Sequence, residues 1–465
     1  MSTVSTRERG PDLEATPGEL PTTLACSGCG RRVDGPIRLT CPNARAGDDI
    51  DHILVRRLDS NRVAFPTGNE QNPFVRYRTL LHAYHAAVAG GWSDAEIISC
   101  IERMDARVAR VDGHGFVTTP LVSSDRLAAE LDLSDGGAVL VKDETANVAG
   151  SHKARHLFGT LLELELAGSE AVGVGHPLAI ASCGNAALAA AVVARAAERR
   201  LRVFIPDDAD AWIAARLADL GAEVETCARV GGASGDPTYH RLLEAITAGA
   251  VPFTCQGNLN GLAIEGGETL GWELVSQLAT TGAHLDRLVI QVGGGALASA
   301  VIQAFFEAQR MGVLRSLPRI HAVQTRGAFP LARAHERAVA RLGAAPTADA
   351  IEALMADAAI HRSEFMWPWE TAPNSVAEGI LDDETYDWRA VVRGMLLTGG
   401  SPLIVDEATL RQANQLAVAA TGIAVSHTGS AGLAGLLDLR RRGQLAPNES
   451  VGVIFTGIQR SGEAP

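Results

Sequence analysis

The chain of 465 residues is long enough for two or three compact units, and 46% hydrophobic with 20% charged residues is an ordinary globular composition. The formal net charge of −13 argues against a nucleic acid or an anionic membrane as partner, so we expect a small-molecule ligand. Among the 41 basic residues, only Lys142 and Lys153 are lysines. Chemistry that requires a primary amine therefore falls on one of these two side chains.

The N-terminal residues carry no recognisable secretory signal. Residues 1–23 are rich in Pro, Glu, Thr and Gly and lack hydrophobic periodicity, which predicts a mobile tail. No later stretch is apolar for long enough to span a bilayer. We therefore expect a cytoplasmic protein. Because the chain has an odd number of cysteines, seven, we do not expect a disulfide framework.

Three cysteines in residues 24–60 have the spacing of a zinc-ribbon-like segment. Cys26 and Cys29 form a CxxCG knuckle, whose thiolates can bind one tetrahedral metal ion, and Cys41 resembles the start of a second knuckle. His52 could supply the fourth ligand, as could Asp48, Asp49 or Asp51. Two interpretations stay open: a structural zinc ion, or a ribbon that has lost its metal and kept the cysteines as small buried hydrophobic residues.

Residues 61–115 are predicted to form a helical extension. Helical periodicity in residues 72–111 indicates two helices, the second with Ser93 as N-cap. His82 and His85 lie about one helical turn apart. Because alanines and aromatic residues surround them, we assign them no chemistry.

From residue 116 to residue 465 the pattern alternates between strands and helices, which predicts an α/β domain with a mostly parallel sheet. The predicted strands are Ala138–Lys142, Leu178–Ala181, Leu201–Ile205, Val251–Thr254, Leu288–Val292, Ile320–Gln324 and Val451–Phe455. The predicted helices are Ala186–Arg199, Ala211–Leu220, Thr269–Leu278 and Ala296–Arg310. Ligands of such folds bind where strands end and the chain turns into a helix.

Four predicted strand ends carry unusual turns, GSHK at 150–153, SCGNA at 182–186, GGGAL at 293–297 and TG at 456–457. Gly150 or Ser151 could cap the next helix, and so could Ser182 or Asn185. The bare amides of the glycine run could bind a phosphate. Each turn alone also fits a tight turn or a cap. Because all four turns occur in one domain, together with a nearly unique lysine, we favour a ligand-binding site over four unrelated turns.

These four motifs, in this order, resemble fold type II pyridoxal-phosphate enzymes, the tryptophan synthase β superfamily, and within it the threonine synthase and threonine dehydratase branch. The resemblance spans roughly residue 119 to the C-terminus. It implies two doubly wound parallel-sheet subdomains with the cofactor in the cleft between them, the smaller and mobile one at about 150–260. It also implies an amino acid substrate, and a homodimer is usual in this family.

The resemblance further implies roles for single residues. Lys153 would bind the cofactor covalently and then act as the base, and His152 would approach the cofactor phosphate. The substrate carboxylate would lie at Ser182, Cys183, Gly184 and Asn185, with Ser182 catalytic and Asn185 also near the 3′-oxygen. Thr456 would lie beside the pyridine nitrogen. The phosphate would be bound by Gly293, Gly294, Gly295, Ala296 and Leu297.

The motifs that distinguish threonine synthases from dehydratases give conflicting indications in this chain. Threonine synthases usually place Asp where this chain has Ala154, whereas residues 184–187 lack the histidine of dehydratases, and residues 375–380 resemble a dehydratase segment. Our leading interpretation is a lyase that releases ammonia and a 2-oxo acid from serine or threonine. The alternatives are a threonine synthase-like or β-replacement enzyme, including one of secondary metabolism, and a protein that binds pyridoxal phosphate without turnover.

Three further expectations concern supporting residues. Lys142, with Glu144, is predicted to be structural. Glu268 is predicted to be a first-turn carboxylate that the helix dipole stabilises. The aromatic residues of 365–369 and 382–388 either line the substrate entrance or pack on the N-terminal region.

Overall fold

The computed structural model describes residues 20–34, 38–45, 47–168, 173, 175–229 and 235–460. Most of the predicted tail, residues 1–19, lies outside the described residues, and the first strand begins at Thr22, before the predicted end of the tail. The ribbon-like segment forms a three-stranded antiparallel sheet in the order β2-β1-β3. Its strands are β1 (Thr22–Cys26), β2 (Arg32–Val33) and β3 (Leu54–Leu58).

The helical extension contains α1 (Pro73–Arg76), α2 (His82–Ala89) and α3 (Asp94–Asp112). Ser93 caps α3, as the sequence predicts: its hydroxyl accepts the N–H of Glu96 at 3.3 Å, and the Glu96 carboxylate accepts the N–H of Ser93 at 2.8 Å. The apolar face of α3 is buried in the same core as the helices that follow. The extension therefore packs against the main body.

The main body contains two sheets covered by helices. Its strands are β4 (Leu121–Ser123), β5 (Ala138–Asp143), β6 (Leu178–Ala181), β7 (Leu201–Pro206), β8 (Glu223–Cys227), β9 (Val251–Pro252), β10 (Arg287–Gln291), β11 (Arg319–Thr325), β12 (Pro402–Val405) and β13 (Ser450–Phe455). Its helices are α4 (Asp125–Glu130), α5 (Lys153–Ala167), α6 (Asn185–Ala196), α7 (Ala211–Asp219), α8 (Pro237–Thr247), α9 (Leu262–Thr281), α10 (Ala296–Arg310), α11 (Pro330–Leu342), α12 (Ala348–Ile360), α13 (Trp388–Thr398), α14 (Glu407–Thr421) and α15 (His427–Arg441).

The larger sheet has the order β12-β11-β10-β13-β5-β4, parallel except for β4, and the smaller sheet has the parallel order β8-β7-β6-β9. The predicted α/β class with parallel sheets is thus confirmed. All seven predicted strands are present, although β9 stops at Pro252, short of the predicted Thr254. Within the part of the chain that the structure describes, no helix is both long and apolar enough to cross a bilayer.

A buried ionic cluster joins β5, α5 and α9. The guanidinium of Arg155 binds Glu144 at 2.9 Å and Glu273 at 3.1 Å, and all three side chains are almost completely inaccessible to solvent. Lys142, also buried, donates to Glu273 and to the carbonyl of Thr119. Lys142 is therefore structural, as predicted.

A second buried cluster attaches the ribbon to the helices. Arg56 of β3 donates to Glu307 at 2.7 Å and pairs with Glu268 and Glu265 of α9. The expectation for Glu268 was wrong: α9 begins at Leu262, so this residue lies in the second turn, where an arginine rather than the helix dipole compensates its charge.

We expect Arg155→Met to lower the free energy of unfolding by about 3–5 kcal/mol, because it leaves the buried charges of Glu144 and Glu273 without their partner. Urea titration followed by circular dichroism measures the loss. The matched control is Arg200→Met, which breaks the exposed 2.8 Å pair with Glu223 and should cost at most about 1 kcal/mol. Equal losses in both variants would show that the buried cluster contributes no special stability.

Candidate functional site

The turns singled out in the sequence lie at neighbouring strand ends. In the larger sheet β13 pairs with β10 on one side and β5 on the other, all parallel, so the turns that follow these three strands share one edge. The loop at 182–185 follows β6 of the smaller sheet. This edge therefore collects the lysine turn, the glycine turn and Thr456.

Lys153 is the first residue of α5 and is half-buried. The turn before it is compact, with φ values of 55° at Ala149 and 70° at Gly150. A Cβ at Gly150 would lie 2.3 Å from a methyl carbon of Ile458, so only glycine fits there. The predicted cap at Gly150 or Ser151 is not formed, because His152 holds the N-cap position without a side-chain cap. The buried Ser151 hydroxyl has no partner among the described residues.

His152 and Thr456 form a tight pair. The Thr456 hydroxyl accepts the backbone N–H of His152 at 3.0 Å and lies 2.7 Å from its Nδ1. Burial and the nearby charge of Lys153 hold the pKa of His152 well below its usual range, so the ring is neutral. Thr456 then donates to Nδ1, which leaves the proton on Nε2. That buried Nε2 contacts no acceptor in the described chain and is a donor for a ligand.

The segment after β13 ties two of the turns together, which the sequence did not reveal. The N–H of Ile458 donates to the carbonyl of Gly150 at 2.9 Å. Arg460 donates to the side-chain oxygen of Asn185 at 2.7 Å and to the carbonyl of Ala149 at 3.1 Å. The lysine turn and the start of α6 are therefore fixed relative to each other.

Carboxylates lie near the loop at 182–185. The predicted side-chain cap by Ser182 or Asn185 is absent, because α6 begins at Asn185 itself and Gly184 precedes it. Solvent reaches Cys183, yet burial raises the pKa of its thiol to about 11. The charges of Glu378, Asp208 and Asp236 add to this rise. Cys183 is therefore a neutral thiol at physiological pH.

The glycine turn already binds an anionic group of the chain. Gly295 has a φ of 99° and precedes α10, whose first residues are Ala296 and Leu297. The carboxylate of Asp382 lies beside Gly293 and Gly294, and the backbone of Gly294 lowers the pKa of this carboxyl group. A Cβ at Gly293 would lie 2.3 Å from an oxygen of that carboxylate. The turn thus has the bare amides and the open cradle of an anion site.

Two carboxyl groups flank this turn, the half-buried Asp382 and the buried Asp387. Burial raises the pKa of Asp382 to about 6, while the Lys153 charge and the Gly294 N–H oppose the rise. Burial likewise raises the pKa of Asp387 to about 8, and the charge of Asp51 adds to it. Both carboxyl groups therefore change charge in the range where enzymes work.

The aromatic segments contain residues near the glycine turn and residues in the core. Tyr386 lies beside Gly294 and stacks on Tyr239 with centroids 6.0 Å apart, within reach of the cleft. Phe365 and Trp388 stack in the core at 5.5 Å. Arg362, in the turn just before Phe365, pairs with Asp51 of the ribbon at 3.5 Å. The stack of Phe365 and Trp388 in the core fits neither predicted location, and the substrate entrance at Tyr386 stays a prediction.

The three cysteines singled out in the ribbon lie together with His52. One ligand atom of each, from Cys26, Cys29, Cys41 and His52, falls within 4.8 Å of the others. All seven cysteines of the chain are free thiols.

The family model described as pyridoxal-phosphate dependent enzyme matches residues 114–457. The chain belongs to this family. It is 23% identical over 341 residues to the threonine synthase of Methanocaldococcus jannaschii, covering 73% of this chain and 74% of the relative. It is 26% identical over 340 residues to that of Methanosarcina acetivorans, with the same coverage. A threonine deaminase of Solanum lycopersicum has the same fold, with a TM-score of 0.57, 17% identity and coverage of 80% and 92%.

The residues at the strand ends fit pyridoxal phosphate, the cofactor of this family. Lys153 offers an amine for the aldehyde, and the Nε2 of His152 offers an unsatisfied donor. The glycine turn offers amides beside the Asp382 carboxylate, which stands in for a phosphate oxygen. A phosphate bound at this turn would require Asp382 to give up its place beside Gly293 and Gly294.

We expect Asp382→Asn to bind pyridoxal phosphate roughly ten-fold more tightly than the wild type at pH 8, because a carboxylate and a phosphate repel each other at the turn. Below pH 6 the difference should vanish, since a carboxyl group with a pKa of about 6 is then protonated. Absorbance titration at several pH values measures both affinities. The control is Asp383→Asn, and a pH-independent ratio for Asp382→Asn would contradict the competition.

Proposed function

We propose that this pyridoxal-phosphate enzyme is a lyase that eliminates the β-substituent of a small hydroxy amino acid, serine or threonine, and yields a 2-oxo acid and ammonia. The observation that carries this proposal is the charge of the cleft. Carboxylates of Glu378, Asp208 and Asp236 act on Cys183, and Asp382 lies at the glycine turn. A substrate with an uncharged β-hydroxyl brings no second negative charge into these surroundings, whereas a phosphorylated substrate does.

The position of Arg155 supports the same choice. A phosphorylated substrate such as phosphohomoserine needs cationic partners for its phosphate. Arg155, the cation closest in sequence to Lys153, is committed in the interior to Glu144 and Glu273. It is therefore not available to a substrate phosphate.

Different residues of the chain perform different steps of the proposed reaction. Pyridoxal phosphate, when bound, supplies an electron sink for the pair left at Cα. Lys153 removes the Cα proton once its amine is free. The Ser182 hydroxyl and the amides at the start of α6 bind the substrate carboxylate. Loss of hydroxide from Cβ, with uptake of a proton, gives water, and hydrolysis of the resulting enamine gives the 2-oxo acid and ammonia.

Neutral groups around the cofactor ring support elimination. His152 is neutral and Thr456 presents a hydroxyl rather than a carboxylate. Unlike a carboxylate, a hydroxyl beside the pyridine nitrogen does not stabilise a proton on it, which limits delocalisation of the carbanion and favours departure of the β-substituent. Thr456 would turn its proton from Nδ1 of His152 to that nitrogen when the cofactor binds. We propose Asn185 and the glycine turn at 293–297 as further cofactor contacts.

A threonine synthase-like reaction is the second candidate, because the matched curated relatives named above are threonine synthases. In that reaction the enzyme would add water to the unsaturated product of the elimination and would not release that product. The cytoplasmic location and the homodimer stay predictions.

We expect Lys153→Ala to abolish the visible absorption band of lysine-bound pyridoxal phosphate and to reduce turnover at least about 1,000-fold, because no other amine lies in the strand-end turns. Lys153→Arg keeps the positive charge and should lose the band equally. Absorption spectra and activity of the three proteins measure this. An unchanged band in Lys153→Ala would reject the cofactor assignment.

For the reaction itself, we expect kcat/KM for serine or threonine to exceed that for phosphohomoserine by roughly 100-fold, since placing like charges together costs several kcal/mol. Assays of 2-oxo acid, ammonia and phosphate distinguish the products. Rapid release of phosphate with formation of threonine would instead support the synthase. A normal absorption band without turnover of any of the three substrates would contradict the lyase proposal but not the cofactor assignment.

A further inference from the structure

We propose that Cys26, Cys29, Cys41 and His52 bind one structural Zn²⁺ ion. Three thiolates and one imidazole are a common ligand set of structural zinc sites. The fourth ligand, which the sequence left open among His52 and three aspartates, is the histidine. The nearby aspartates have other contacts: Asp49 binds Ser363, and Asp51 pairs with Arg362 and Arg389.

The distances match a tetrahedral ion. Zn–S bonds of about 2.3 Å and Zn–N bonds of about 2.0 Å at tetrahedral angles place two sulfurs about 3.8 Å apart and a sulfur and a nitrogen about 3.5 Å apart. The Sγ atoms of Cys29 and Cys41 are 3.7 Å apart. Sγ of Cys26 lies 3.4 Å from Nδ1 of His52. Two opposite edges of the tetrahedron are thus formed.

N–H groups of the ribbon point at the three sulfur atoms. The N–H of Cys29 points to Sγ of Cys26 at 3.4 Å, and the N–H of Asn43 points to Sγ of Cys41 at 3.4 Å. The amide group of Asn43 donates to Sγ of Cys29 at 3.7 Å. Each sulfur therefore accepts an N–H, which stabilises negative charge. A cluster of small apolar fillers needs none of these contacts.

Asp48 completes the arrangement. Its carboxylate lies 3.2 Å from Nε2 of His52, the ring nitrogen that faces away from the cysteines. A carboxylate behind a metal-binding histidine fixes the ring and its tautomer, so that Nδ1 keeps a free lone pair for the ion. Asp48 is thus a positioning residue.

A metal ion would stabilise the ribbon in addition to the contacts that Arg56, Leu24 and Leu39 make with the main body. Its own apolar cluster consists of Cys26, Cys41 and Leu54, with Cys29 and Val33 packed against it. A segment below roughly 40 residues rarely folds on so small a core without a metal or a disulfide. All four ligand positions are taken by protein atoms, so the ion has no open site for catalysis.

The test is the metal content of the purified full-length protein, measured by plasma mass spectrometry after growth with zinc. We expect about one zinc per chain in the wild type and less than about 0.2 in Cys29→Ser and in His52→Gln, because each variant lacks one of four ligands. The matched controls are Cys227→Ser in β8 and His284→Gln on the surface, which should keep the full content. Asp48→Asn should keep zinc but bind it about 10–100-fold more weakly.

A second measurement does not depend on the variants folding. A mercurial reagent is titrated into the wild-type protein while a colorimetric chelator follows zinc release, and release should be complete after reaction of the three ribbon cysteines. Substitution by Co²⁺ should give the intense ligand-field bands of a tetrahedral site with thiolate ligands. The proposal is overturned if the wild type contains no zinc, contains iron instead, or if Cys29→Ser retains as much zinc as Cys227→Ser.

Discussion

The charged guanidinium of Arg155 lies in the protein interior. The contacts that compensate its charge also fix the first turn of α5. Its guanidinium reaches Glu144 after β5 and Glu273 of α9, both buried. Lys153 stands two residues earlier in the same turn. A shift of this turn would separate buried opposite charges at a cost of several kcal/mol. The lysine amine is therefore held in place by an ionic cluster, which explains why α5 needs no side-chain cap at its start.

The predicted features are local, whereas the missed ones include contacts between distant residues as well as strands β4, β8 and β12 and helices α4, α8 and α11–α15. A strand, a glycine-containing turn and a helix follow one another within a few residues, so all seven strands and the turns at Lys153 and the glycine run could be predicted. The partner of Glu268 is Arg56, 212 residues away, and that of Asn185 is Arg460, 275 residues away. No local pattern contains such pairs. Strands β8 and β12 were missed because they lie at sheet edges, where half-exposed positions and a leading proline weaken the strand pattern.

The contact between Asp382 and Gly294 gives the glycine turn an anion in the absence of any ligand. The turn is thereby kept in a conformation that suits a phosphate, so less ordering remains to be done when a phosphate binds. The carboxylate is also a weak competitor, because burial raises its pKa to about 6 and so penalises its charged form. A phosphate that displaces it relieves part of this cost, since the released carboxylate can be hydrated or protonated. Asp382 thus occupies the glycine turn and can still be displaced by a phosphate.

The ribbon and this site are physically continuous. Asp51 precedes the metal-site residue His52 and pairs at 3.5 Å with Arg389, the second residue of α13. The residue just before α13 is Asp387, which lies against Gly295 of the glycine turn and whose pKa is raised in part by the charge of Asp51. Whatever fixes His52 therefore also fixes Asp51, and through it the start of α13. Because the charges of Asp51 and Asp387 repel each other, a displaced ribbon would change both the position and the protonation of a carboxyl group that borders the glycine turn.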